Sequence, residues 1–206
     1  MTHQQPIDQG ITWSIPQMHN LRFMRAQYVQ HAFKPHAHDY YVLGIIEAGL
    51  QTFTYKPFTH KREQIITSPG HLILINPGEI HTGEAAIKNG FSYRALYPTT
   101  DLMDMITREF NIAQHRNPIF TGGITYDQEL FQRALTLHRL SENPTTLLEL
   151  EEGLTQFFVD LIHRHADRAF TVREYQTAHQ AIHQVRDYLE AHYADNISLS
   201  DLSQLT

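Results

Sequence analysis

The 206-residue chain contains no cysteine. That absence removes disulfides, thiolate zinc sites, iron–sulfur clusters and cysteine nucleophiles together. No stretch approaches the roughly 18 consecutive apolar residues of a membrane span. Met1–Gln9 is polar and lacks a basic start followed by an apolar run, so a signal peptide is not expected. Positive charge is also scarce: 16 Lys+Arg stand against 22 Asp+Glu, a formal net charge of −6. A balance of that sign disfavours non-specific nucleic-acid binding by these residues. The phosphate-cradling P-loop, the G-x-G-x-x-G dinucleotide turn and the G-x-S-x-G nucleophile elbow are all missing. The expectation is therefore a cytoplasmic protein with no membrane segment and no assigned catalytic residue.

What is present fits a folded domain. Hydrophobic residues make up 41% and charged residues 18% of the chain, which argues against disorder. A chain of this length buries roughly 70% of its unfolded surface and needs no covalent staple. Between about Leu21 and Tyr97 the sequence breaks into short apolar or alternating runs: Tyr40–Ile46, Gln51–Tyr55, His71–Ile75 and Phe91–Tyr97. Val, Ile, Tyr and Phe dominate them, which predicts strands. Turn formers separate them, at Glu47-Ala48-Gly49, Pro69-Gly70 and Asn76-Pro77-Gly78. Close-set strands without intervening helices predict an antiparallel sandwich or barrel.

The period then changes. Asp101–Phe110 reads as a short helix, Pro118–Thr125 as one more extended segment, and Asp127–Leu140 as a helix with Leu130, Phe131, Ala134, Leu137 and His138 on one face. Asn143-Pro144 predicts the start of a further helix running to about His165. Leu147, Leu150, Leu154, Phe157 and Leu161 form its heptad seam, widened by Leu148, Phe158 and Ile162. A face that broad can pack on the strands and also on a second copy of the chain. Asp167–Thr177 reads as a linker, and Ala181, Ile182, Val185, Tyr188 and Leu189 mark another helix. Ser198 with Asp201 fits a capping box, so a helix opens there and the sequence ends inside it at Thr206. The expectation is a chain continued beyond this point.

Chemistry concentrates in histidine, of which there are 15. His36 and His38 share one side of an extended segment. His81 follows the Pro77-Gly78 turn, and a closed barrel can bring it to the same cavity. Three imidazoles can ligate a divalent metal and leave an open position. They can equally hydrogen-bond an organic ligand without metal. Tyr40 continues the parity of the pair and Glu79 is a candidate fourth ligand. His71 can point either way. His163 and His165 suit a helix C-terminus, and His179, His183 and His192 read as solvated. Trp13, the single tryptophan, reads as core or lid, and Glu151-Glu152 as a solvated helix face.

Two segments together resemble a known family. His36-Ala37-His38-Asp39-Tyr40-Tyr41-Val42-Leu43-Gly44, Pro69-Gly70, Leu74 through Gly83 and Tyr93-Arg94-Ala95-Leu96-Tyr97-Pro98 resemble the N-terminal cupin domain of AraC-family transcriptional regulators. Ile197 through Thr206 is similar to the first helix of that family's first helix-turn-helix. The resemblance implies a mainly β fold with C-terminal helices: a cupin-like antiparallel β-barrel, or jelly roll, then a helical pair and the start of a helix-turn-helix domain. It divides the chain into an N-terminal arm (1–20), an effector-binding barrel (21–125), a helical pair for dimerisation (126–168) and a linker with the opening of the DNA-binding region (169–206). It implies a homodimer through 144–165, a small-molecule effector, and DNA as partner only of the full-length protein, whose recognition helix would enter the major groove.

The inward-facing His36, His38, Tyr40 and His81 are the candidate contacts for such a ligand. A metal on His36, His38 and His81 would be a divalent transition ion such as Zn, Ni, Fe or Mn. The chain departs from the metal-binding cupin pattern, having Val42 and Leu43 where a carboxylate belongs and Pro77 directly before Gly78. The competing expectation is a cupin metalloenzyme such as a three-histidine dioxygenase or an isomerase.

Overall fold

The computed structural model describes residues 8–56, 63–112, 117–144, 146–167, 184–193 and 195–203. The chain divides into two compact units, Met1–Arg168 and Ala169–Thr206.

The first unit holds ten strands: β1 Gln9–Ile15, β2 Leu21–Tyr28, β3 Phe33–His36, β4 Val42–Gly49, β5 Gln51–Lys56, β6 Glu63–Thr67, β7 Leu72–Ile75, β8 Ile80–Ala85, β9 Phe91–Tyr97 and β10 Ile124–Thr125. Six form one sheet in the order β1-β2-β9-β4-β7-β10, and four form a second, β3-β8-β5-β6. All the pairings are antiparallel. Two facing antiparallel sheets with crossing connections make a cupin-like jelly roll.

The six-stranded sheet is a wall with a core on each side. On β2, β4, β7 and β9, Leu21, Phe23, Leu43, Ile45, Leu72, Leu74 and Leu96 pack toward the helices. Alternating with them, Met24, Val42, Ile46, Ile73, Ile75, Phe91 and Tyr93 pack between the sheets. A strand buried on both faces must be apolar at nearly every position. That is why Leu72–Ile75 reads as a continuous run and not as an alternation.

The helices of this unit are α1 Thr100–Glu109, α2 Gln128–Leu140 and α3 Leu147–His165. Thr99 Oγ1 accepts from Leu102 N at 3.2 Å to cap α1, and Asp127 Oδ1 accepts from Leu130 N at 3.1 Å to cap α2. Leu150, Leu154, Phe157, Phe158, Leu161 and Ile162 of α3 are buried against the wall and its neighbouring helices.

Three expectations are corrected. Residues 9–15 of the segment expected as an arm form β1, paired with β2 along its length. The third helix begins at Leu147 after Thr146, not at Asn143-Pro144. Asn143 N donates to Leu140 O at 3.2 Å and so belongs to the turn that ends α2. Thr146 is extended, as a residue at a helix entry is, and its hydroxyl donates to the Glu149 carboxylate at 3.0 Å. Leu147 and Leu148, expected in the apolar face, remain 39% and 75% exposed.

α2 docks on the wall through a buried polar pair. His138 is fully buried, with Trp13 and Phe23 at 5.2 and 5.5 Å, each edge-on to its ring. Its Nε2 donates to Met24 O at 2.9 Å, and its Nδ1 accepts from Arg94 Nη1 at 3.0 Å. Arg94 is itself buried, with Glu47 at 2.7 Å and Glu142 beside it. Such a cation belongs inside only with its carboxylates in place. Trp13 Nε1 donates to Ser141 Oγ at 3.2 Å, which ties the lone tryptophan into the same packing.

In the second unit, residues 184–191 are helical and a short helix spans Leu199–Ser203. The capping box forms as the sequence predicts: Ser198 N donates to Asp201 Oδ2 at 2.9 Å, and Asp201 N to Ser198 Oγ at 3.3 Å. The expected linker beyond Asp167, with His179 and His183 and the first turn of the following helix, lies outside the described residues, as do Gln204–Thr206.

Candidate functional site

The expected site residues come together at one place between the sheets. Register pairs His36 of β3 with His81 of β8, and their ring centres are 4.3 Å apart. β3 ends at His36, yet His38 still turns to the same side, with ring centres 4.8 Å from His36 and 5.3 Å from His81. Gly78 N donates to His38 O at 2.7 Å and fixes that loop against the following turn. Gly78 has φ 81, a conformation glycine adopts without steric cost. Pro35 is tolerated because β3 is an edge strand. Tyr40 stacks on His38 at 4.6 Å, and the Arg22 guanidinium lies 4.3 Å from the Tyr40 ring centre.

One nitrogen from each of His36, His38 and His81 lies within 4.8 Å of the others. His36 Nδ1 donates to Lys34 O at 2.7 Å and His81 Nδ1 to Glu79 O at 3.0 Å. A carbonyl only accepts, so both rings carry a hydrogen on Nδ1, and the neutral form of each ring then holds its lone pair on Nε2. Histidines that ligate metals are commonly oriented in this way. Burial lowers the His38 pKa from 6.5 to about 4, and the neighbouring His81 and His36 add to the shift. Burial also lowers the His81 pKa, against the opposing pull of its bond to Glu79 O.

Glu79 is not a fourth ligand. Its Oε2 accepts from Asn76 N at 2.9 Å, Asn76 Nδ2 at 2.9 Å and Tyr55 Oη at 2.8 Å. The carboxylate is spent on the turn that presents His81. Asn76 extends this support, donating to Phe120 O at 2.8 Å and accepting from Phe120 N at 2.9 Å.

The three imidazoles open on a cavity of about 130 Å³. Met24, Val42, Ile73 and Ile75 contribute its aliphatic surface, and Phe33, Phe53 and Phe91 its aromatic surface. Tyr40, Tyr93, Tyr97, Gln51 and Thr82 complete it. Burial raises the Tyr97 phenol above its ordinary value and the Tyr93 phenol well above it, so both stay protonated. Tyr97 donates to Met24 Sδ at 3.1 Å. The sequence argument missed Gln51, Tyr93 and Tyr97. Strand parity could have found the tyrosines, since Phe91, Tyr93 and Tyr97 occupy alternate positions on β9.

The other histidines lie elsewhere. His71 bonds to Ser68 O at 3.1 Å. His165 pairs with Asp127 at 3.0 Å, and the exposed His192 with Asp195 at 2.9 Å. Among the described residues no helix is long and apolar enough to cross a membrane.

Residues 19–158 match the family model described as the AraC-like ligand binding domain. A curated relative, the uncharacterized HTH-type transcriptional regulator YbfI of Bacillus subtilis (strain 168), is 29% identical over 191 residues. That match takes in 93% of this chain, and the chain spans 66% of the relative's length. Among solved structures, oxalate decarboxylase from Bacillus subtilis at pH 4.6 is similar at a TM-score of 0.41 and 14% identity, over 59% of this chain and 37% of that one. The Momordica charantia 7S globulin is similar at 0.36 and 19%, over 40% of this chain and 24% of that one. The matched residues run from before β2 into α3 and include the cavity and its histidines, and the chain belongs to the family of AraC-like ligand binding domains.

Proposed function

We propose that this chain is the effector-sensing part of a cytoplasmic transcription regulator. The observation that carries the reading is the cavity, closed by His36, His38, Tyr40 and His81, inside a domain of the AraC-like ligand-binding family. A small molecule enters between the sheets, and these four side chains hold its polar part. The likeness to a helix-turn-helix regulator supports a DNA-binding portion beyond the described residues, and the capped helix at Leu199–Ser203 suits its opening. Two copies would associate through 144–165, where Leu147 and Leu148 offer exposed apolar surface at the start of α3.

For the effector to regulate, it must bind one arrangement of the protein better than another. A hundredfold preference corresponds to about 2.7 kcal/mol of coupling. The wall gives a physical route. Met24 and Tyr93 touch the cavity, while Met24 O and the adjacent Arg94 bond His138 of α2. A ligand that displaces β2 or β9 therefore displaces the seat of α2.

The test is a small-molecule thermal-shift screen on the wild-type chain and on His38→Ala. A molecule that raises the melting temperature of the first and not of the second supports the reading. Equal shifts in both would take His38 out of the site.

A second reading has its own observation, the convergence of three imidazole nitrogens. The donor set fits a divalent ion: Nε2 of His36 and His81 is free, and each Nδ1 is anchored on a carbonyl. Such an ion would supply Lewis acidity for holding an anionic ligand, or for the chemistry of a three-histidine dioxygenase or isomerase. Elemental analysis before and after chelation decides. About one equivalent of transition metal, lost in His81→Ala, would support the metal site, and none above background would remove it.

A further inference from the structure

We infer that the cavity selects an uncharged, single-ring aromatic molecule bearing hydrogen-bond donors on two of its edges, a ligand of the phenol and benzenediol class. The inference rests on the ligand-binding reading above and narrows it. Four observations carry it.

The first is size. A cavity of about 130 Å³ compares with the roughly 150 Å³ that admits a benzene molecule. It is small beside the roughly 300–1,000 Å³ of pockets for larger ligands. A disaccharide is too large for it.

The second is charge. Among the described residues, no Lys, Arg, Asp or Glu lines the cavity. An amino acid zwitterion or a free carboxylate would enter with no opposite charge to meet it, and burying such a group unpaired costs several kcal/mol. Arg22 lies over the Tyr40 ring and is not among the lining residues.

The third is the wall. Phe33, Phe53, Phe91, Tyr93 and Tyr97 surround the space. Rings packed by rings gain edge-to-face and offset contacts beyond their buried area.

The fourth is the polarity of the two stations. At one end, the free Nε2 atoms of His36 and His81 accept. At the other, Gln51 is 7% exposed, lines the cavity, and its Oε1 is buried with no hydrogen-bond partner among the described residues. Gly83 makes room for this amide, since a Cβ there would lie 2.8 Å from Gln51 Nε2. Gly83 is the next same-face residue after His81 on β8, about 7 Å along the strand. The Gln51 amide thus gives the cavity a second polar station beside its aromatic wall, and a second ligand hydroxyl reaching that amide would supply the partner its Oε1 lacks.

The experiment is titration calorimetry on the chelator-treated wild-type chain. The probes are toluene, phenol, catechol, resorcinol and hydroquinone, with glucose, alanine and benzoate as the contrasting set. Phenol should bind more tightly than toluene, and the best benzenediol about tenfold more tightly than phenol, the gain of one further matched hydrogen bond. In Gln51→Met the advantage of the best benzenediol over phenol should fall from about tenfold to about twofold or less. Retained phenol binding shows that the variant is folded, and the wild-type series stands without the variant. Phenols that fail to bind overturn the inference, as does a benzenediol advantage that survives Gln51→Met. Binding of glucose, alanine or benzoate in place of the phenols, abolished by His38→Ala, overturns the ligand class and leaves the sensing cavity standing.

Discussion

His138 should make this domain acid-sensitive in a way that a single substitution exposes. Its ring is fully buried, and its pKa is lowered from 6.5 to about 4, by burial first and by Arg94 second. The unfolded chain therefore takes up a proton on this residue at a higher pH than the folded one does. The stability it contributes is present above about pH 6.5 and is lost as pH falls toward 4. Between about pH 8 and pH 5 the loss is about 2 kcal/mol. His38 is shifted in the same direction and adds its own loss, so the wild-type curve alone does not isolate His138. His138→Gln does. The amide keeps a donor for Met24 O and loses the acceptor for Arg94, which should cost about 1–3 kcal/mol at pH 8. Gln does not titrate, so the gap between wild type and variant should narrow by about 2 kcal/mol at pH 5. Urea unfolding followed by tryptophan fluorescence reads this locally, because Trp13 is the single tryptophan and its ring centre lies 5.2 Å from that of His138. A gap that stays constant from pH 8 to pH 5 would refute the buried neutral imidazole.

Two further outcomes concern the frame of the cavity. Asn76→Ala leaves the buried Phe120 N–H and C=O and the Glu79 carboxylate short of partners, and should destabilise the domain by about 3 kcal/mol in urea unfolding; a loss under about 1 kcal/mol would show that the turn does not depend on it. Gly44→Ala puts a Cβ 2.9 Å from Tyr93 Cε2 and 3.1 Å from Ile73 Cβ, so it should cost about 1–3 kcal/mol and narrow the cavity by pushing Tyr93 inward. Unchanged stability together with unchanged ligand affinity would refute that packing.

The strand runs, α2, the capping box at Ser198 and the His36–His38 pair were legible in the sequence. Each rests on a local rule: period 2 on strands, period 3.6 on helices, a side-chain oxygen before a helix, or the same-side placement of residues two apart. His81 joined the pair only through the expected barrel, and the register of β3 with β8 supplies that contact. The start of α3 was misplaced because Asn143-Pro144 and Thr146-x-x-Glu149 are both good local signals. The hydrogen bond from Asn143 N back to Leu140 O decided between them. β1 was missed because an edge strand with one exposed face carries a weak pattern, and its pairing with β2 supplies what its own residues do not.

The sequence by itself determined the class of the domain and which residue types are available to a site, since strand periodicity and residue type need no knowledge of neighbours in space. Only the tertiary structure decided what each polar group does. Glu79 and His81 are two residues apart, yet one is spent on the Asn76 turn and the other faces the cavity. Gln51 and His138 look unremarkable in sequence, and they become a cavity acceptor and a buried neutral link because β8 and β9 arrive beside them. Burial and partnership are properties of packing between distant segments, and local sequence does not encode them.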